Sequence, residues 1–198
     1  LLAASGPIAL AYLTSFGDVT AQARSIHISN GGRLNVASAQ ATAGDLFIHS
    51  SGTLTLQSAS ATGAMDFAGS SVTANSALAS GGNFAASGTN GVSLISLDSG
   101  GSTTLTSTNG ILSASGDVNS AGAFAASGGA GVSFGNLDSG GTTSLTSGNG
   151  ALSVTNLTSA GLVTAVGGSV TLQGSGPLAF ANAQATAGNL SIVSPGSL

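Results

Sequence analysis

Asp98, Asn119, Asp138 and Thr158 follow one another at sequence intervals of 21, 19 and 20, each set between an apolar residue and a serine. If each interval is one turn of a stacked chain, the four side chains form a column on one side of it. Carboxylates, amides and hydroxyls arranged in a column are donors that hold a hard cation or the hydroxyls of a sugar. The spacing argues against catalysis. Asp98 and Asp138 would lie two layers apart, roughly 9–10 Å at strand-stacking distance. That exceeds the ~5–5.5 Å of a retaining glycosidase pair and reaches the upper edge of the inverting range. Calcium takes about six to eight oxygens, usually from several carboxylates. The plainer expectation is that these side-chain oxygens cap turns by accepting from backbone N–H groups.

His27 and His49 would face each other if the register between neighbouring turns set these two positions level. A zinc site needs about three or four ligands, and no third is evident, so exposed strand histidines are the simpler reading. Arg24 and Arg33 read as solvated corner residues, the sole cationic spot for an anionic glycan. Serines abound, yet neither histidine stands in a nucleophile-and-base motif. We therefore expect no enzymatic activity and no cofactor. Thr53-Leu54-Thr55 and Thr104-Leu105-Thr106 would suit an ice-binding face, but Ser144-Leu145-Thr146 and the turns between break the lattice.

What must position these residues is a repeat. A doublet containing glycine follows a small polar step nine times, in Leu13-Thr14-Ser15, Ala41-Thr42-Ala43, Ser60-Ala61-Thr62, Leu78-Ala79-Ser80, the four steps carrying the column, and Ala185-Thr186-Ala187. Measured at the middle residue, the steps are 28, 19, 18, 19, 21, 19, 20 and 28. A period near twenty is the mark of a solenoid, whose units each contact only their neighbours. Residues 19–54 also align without a gap to 163–198, with 18 of 36 positions identical, and a shorter echo at an offset of 40 pairs Phe84 with Phe124. Nine registers and ragged ends give about ten coils of roughly 19–21 residues, with the two longest steps read as enlarged coils. At ~4.8 Å per layer this is a rod on the order of 45–50 Å long.

Period-two alternation in Leu54-Thr55-Leu56, Val92-Ser93-Leu94, Leu152-Ser153-Val154 and Val170-Thr171-Leu172 predicts short strands with one face buried. Between them Asn90-Gly91, Asn109-Gly110 and Asn149-Gly150 are expected to turn corners, with glycine supplying positive φ. Asn-Gly between alternating runs is also a hairpin signal. Hairpins, however, have no reason to return the same columns at a period near twenty, whereas parallel coils stack each column on its own copy. Inward Leu, Ile, Val and Phe would then form ladders, with Phe84 and Phe124 two layers apart.

Composition agrees. Only 4% of the 198 residues are charged, against roughly 25% in ordinary soluble domains. The charged set is six Asp, Arg24 and Arg33, with no Lys and no Glu, so the residues that clothe exposed helices are missing and an α-solenoid is excluded. Two arginines cannot neutralise a phosphate backbone, which removes nucleic acid as a partner. Cysteine is absent, so neither disulfides nor thiolate metal sites enter. No apolar run approaches the ~18 residues of a membrane-spanning helix. The apolar start has no basic flank, is interrupted by Gly6-Pro7 and echoes 145–165, so it reads as a coil and not as a signal peptide. Both ends are expected to be cuts in a longer molecule, with 1–198 forming one β-helical segment.

Coils of the form Gly188-Asn189-Leu190-Ser191-Ile192 and Ser51-Gly52-Thr53-Leu54-Thr55-Leu56, with Ala, Ser and Gly spacers, resemble the repeat regions of filamentous-haemagglutinin-like exoproteins of two-partner secretion systems. The resemblance covers essentially the whole chain. It implies an all-β, right-handed, single-stranded parallel β-helix, export through a dedicated outer-membrane transporter, and a secreted or cell-surface location. It further implies a role as the shaft of a bacterial adhesin in attachment or biofilm formation, with a glycan or protein receptor as partner. The family's Asn-Pro secretion motifs are not seen: the prolines are Pro7, Pro177 and Pro195, none after Asn. A polysaccharide-binding or polysaccharide-degrading β-helix, a toxin-delivery stalk and an autotransporter passenger are the alternatives.

Overall fold

The computed structural model describes residues 1–11, 13 and 17–195. Strands with inward Leu, Val, Ile, Phe and Ala alternate with corners of Gly, Ser, Asn and Thr, because a single stripe of apolar side chains can be buried only against the same stripe of the next coil. Each full coil has three legs. In the middle of the chain they are Phe84–Gly88, Gly91–Leu94 and Ser96–Ser99, after which Thr103–Ser107 begins the next coil. First legs stack into a 10-stranded sheet, and second and third legs share a 14-stranded one. In Ile111–Ser120, Gly131–Ser139 and Ala151–Ser159 the second and third legs are one bent strand. Among the described residues there is no helix, so none is long and apolar enough to cross a membrane. Pairings across the Asn-Gly corners are parallel from coil to coil, which excludes hairpins there.

The core is a continuous set of ladders from Val19 to Leu178. Phe84 and Phe124 do lie two layers apart in one column, with Thr103 between them. The Phe67 and Phe84 rings meet edge to face at 5.8 Å, and Phe124 meets Phe134 at 5.4 Å. Thr103 is 1% exposed, and its Oγ1 has no hydrogen-bond partner among the described residues. Thr143, two layers further along that column, shares a 2.8 Å bond with Ser159 Oγ. An unpaired buried hydroxyl carries its desolvation penalty without return. Thr103→Val, nearly isosteric, is therefore expected to stabilise the protein by about 1 kcal/mol in urea unfolding, whereas Thr143→Val is expected to destabilise it.

The length of a coil varies along the stack, being short where Val163 pairs with Phe180 and long where Thr103 pairs with Phe124. Two expectations change. Among the described residues no coil is enlarged. Thr14 and Ser15 fall outside those residues, but the coil next to them is ordinary, pairing Ala21 with Ala39 and Ala23 with Ala41. Thr158 is followed in its own column by Ser175, with Thr158 Oγ1 and Ser175 Oγ 2.6 Å apart, while Thr186 sits in the corner after Phe180–Ala185. The step from Thr158 to Thr186 is thus one ordinary coil plus a move to a different leg. Likewise the Asp98 column continues upstream through Ala79, Ser60 and Gln40 and not through Ala61 and Thr42.

The second change concerns glycine. Among the described residues no glycine has positive φ, so the corners do not require left-handed backbone. They require closeness. A Cβ on Gly110 would run into the carbonyl of Asn90 one coil below, and one on Gly150 into that of Ala130. At these two positions the corner backbones stack so closely that only glycine leaves room.

Candidate functional site

The third leg carries the candidate column, and its alternation settles where each side chain goes. Leu97, Val118, Leu137 and Leu157 point into the core, and so do Ser99, Ser120 and Ser139. Asp98, Asn119, Asp138 and Thr158, between them, are all exposed. They pair in register, Asp98 on Asn119, Asn119 on Asp138 and Asp138 on Thr158. The column read from the intervals is thus a physical one, beside an open groove along the corner lined by Asp98, Asn119, Asp138, Gly100 and Gly140.

Capping is done by other residues. Among the described residues the Asp98, Asn119 and Asp138 side chains find no hydrogen-bond partner, since the backbone groups beside them are already used in the ladder. The buried serines take that task. Ser120 Oγ donates to the Gly101 and Ala123 carbonyls at 3.1 and 3.2 Å, and Ser99 Oγ to Gly82 O at 3.1 Å. At the corner leading into the first leg, Asp45 Oδ1 accepts from Ala64 N at 2.8 Å and Asn83 Oδ1 from Ser102 N at 2.9 Å. All but the local Ser120–Ala123 bond join one coil to the next, so these bonds hold the stack as well as the turn.

A second column was missed from the sequence. Asp117, Asn136 and Asn156 stack beside the first column, toward the start of the leg, and their side chains bond in series. Asn156 Nδ2 donates to Asn136 Oδ1 at 2.7 Å, and Asn136 Nδ2 to Asp117 Oδ1 at 2.6 Å. Its one-coil intervals were there to be found. Together the two columns make a polar strip holding Asp98, Asp117 and Asp138, with amides between. Among the described residues no cleft encloses the strip. Asp98 and Asp138 remain separated by the Asn119 layer, and Arg24 and Arg33 belong to coils near the other end, so no arginine joins the carboxylates.

On the first leg, the Ile26–Asn30 strand pairs with Leu46–Ser50 so that His27 faces Phe47 and His49 faces Ser29. The two histidines are diagonal neighbours, with ring centroids 6.3 Å apart. His49 Nε2 lies 3.2 Å from Asp66 Oδ2, with both side chains about two-fifths exposed. As the side chains stand, no three His or acidic groups converge into a metal cluster among the described residues. Arg24 and Arg33 are exposed at two different corners. The threonine pairs do not share a face: Thr53 and Thr55 lie on a second leg, while on a first leg Thr104 stands between Ala85 and Ala125 and Thr106 between Ser87 and Ser127. An ice lattice is not continued there.

The fold and surface define a parallel β-solenoid of about ten turns whose charged groups lie outside the core, where buried Ser and Thr hydroxyls stand among the apolar ladders. No family model, curated protein or solved structure matches the chain.

Proposed function

We propose that the chain is a shaft segment of a large secreted or cell-surface bacterial adhesin of the filamentous-haemagglutinin type, exported through an outer-membrane transporter of a two-partner system. One observation carries this reading: the buried core runs continuously from coil to coil while the outward side chains stay mostly small, uncharged and open. A solenoid of this kind gains stability by adding coils, which serves reach and rigidity. The shaft holds a receptor-binding part away from the cell, and that receptor is a glycan or a protein. The test is antibody labelling of intact cells of the source organism with and without the transporter gene. Loss of surface label in the deletion strain supports the reading. Unchanged labelling, or cleavage of polysaccharide by the purified chain, contradicts it.

The polar strip of Asp98, Asp117, Asn119, Asn136 and Asp138 favours a second reading, in which the shaft itself holds a polysaccharide along the corner. Binding to a glycan array that disappears in Asp98→Asn/Asp138→Asn would select it over a passive shaft.

A further inference from the structure

We infer that His27, His49 and Asp66 form a surface site for a first-row divalent transition-metal ion, Zn²⁺ or Cu²⁺. The chain has two histidines, and folding sets both on the outer face of the first-leg sheet, on neighbouring coils. The third ligand that the sequence did not reveal is Asp66. It arrives one coil later because Leu46 pairs with Met65, which sets Asp66 on Phe47 and His49 on Ala68.

The His49–Asp66 separation is already that of two ligands around one ion, while His27 and Asp66 lie two layers apart with Phe47 between them. Two donors each ~2.0–2.1 Å from a tetrahedral ion lie roughly 3.3 Å apart, and His49 Nε2 and Asp66 Oδ2 are 3.2 Å apart. Two imidazoles on one tetrahedral ion have ring centroids roughly 5 Å apart; those of His27 and His49 are 6.3 Å apart with ring planes at 58°, so the two rings must close by about 1 Å. Convergence of all three requires the His27 ring to turn toward the His49–Asp66 pair. His27 is exposed, with ring contacts only to Phe47 at 5.9 Å and to His49 at 6.3 Å among the described residues, so nothing in the core moves when it does. Phe47 stands in the column between His27 and Asp66, so the two reach the ion beside its ring, and a fourth position is left for water. Two imidazoles and one carboxylate select Zn²⁺, Cu²⁺ and Ni²⁺ over Ca²⁺ and Mg²⁺, which take oxygen ligands. Cu²⁺ should bind more tightly than Zn²⁺. The inference is independent of the adhesin reading.

The test is calorimetric titration of the purified chain with ZnCl₂, CuCl₂ and MgCl₂ at neutral pH, with the histidine ring signals followed by NMR during zinc addition. One ion per chain is expected, with both histidines shifting together and no response to Mg²⁺. His27→Gln, His49→Gln and Asp66→Asn should each weaken zinc binding roughly tenfold or more while leaving the circular dichroism melt unchanged, since all three side chains face solvent. Absence of saturable zinc binding, or His27→Gln and Asp66→Asn variants that bind zinc like the parent, would overturn the site. A variant that fails to fold is replaced by the alanine substitution at the same position, read by the same titration.

Discussion

Leu94→Asp is expected to unfold the middle of the chain, lowering stability by more than about 4 kcal/mol, while Asp98→Asn, on the next leg of the same coil, costs roughly 0–1 kcal/mol. The contrast follows from the alternation. Leu94 is 2% exposed and pairs with Ala114 in the next coil, inside the apolar ladder. A carboxylate there has neither water nor a cation, and burying an unpaired charge is among the most unfavourable changes a core can suffer. Because each coil is stabilised mainly through the interfaces above and below it, the damage spreads to both neighbours. Asp98 faces solvent, with no side-chain hydrogen bond among the described residues, so its amide replacement loses little. Urea or thermal melts of the two variants measure this directly. Equal damage from both would show that the Asp98 column holds the fold together, against the present account.

Gly110→Ala is expected to destabilise the protein by about 1–3 kcal/mol, as overpacking does. Gly31→Ala should be neutral or raise stability by up to roughly 1 kcal/mol through the unfolded chain. Both glycines follow an asparagine at a corner, and neither has positive φ, so a conformational argument would treat them alike. Space separates them. A Cβ at Gly110 meets the Asn90 backbone of the coil beneath, whereas at Gly31 nothing lies within 4 Å. Chemical denaturation of the two single variants gives the comparison. If both lose the same stability, close stacking of corner backbones is not what glycine provides.

How far the sequence can be read depends on whether neighbouring coils repeat the same leg. From Leu97 to Ser159 the apolar–polar–serine step recurs on the third leg each time, and the intervals match the true pairing of Leu97, Val118, Leu137 and Leu157. At the ends the echoes mislead. Residues 39–48 and 183–192 are identical at eight of ten positions. The first stretch turns from a third leg to a first leg and the second from a first leg to a second. The corner bonds are nevertheless the same: Thr42 Oγ1 donates to Ala23 O at 3.1 Å and Thr186 Oγ1 to Gly167 O at 3.2 Å. All three legs ask for alternating side chains and all corners for small ones, so one decapeptide serves at two corners and sequence identity does not report which leg it occupies. The offset of the long echo, which sets Val19 on Val163, is therefore not a whole number of coils. The His49–Asp66 contact was hidden for a related reason, because its spacing is one coil less the diagonal step between them.

The central claim is a parallel stack that rises by one strand spacing per coil, and pulsed electron–electron spin distance measurements test it most directly. Asn35, Thr55, Thr73, Ser93, Ser113, Ser133, Ser153, Thr171 and Ser191 form one outward column on the second leg. With one spin label at Thr55 and the other at Ser133, Ser153, Thr171 or Ser191, mean distances are expected to lengthen by roughly 4.8 Å per coil, from about 19 Å to about 34 Å across the series. Distances that stay flat, or that shorten toward Ser191, would contradict a parallel solenoid.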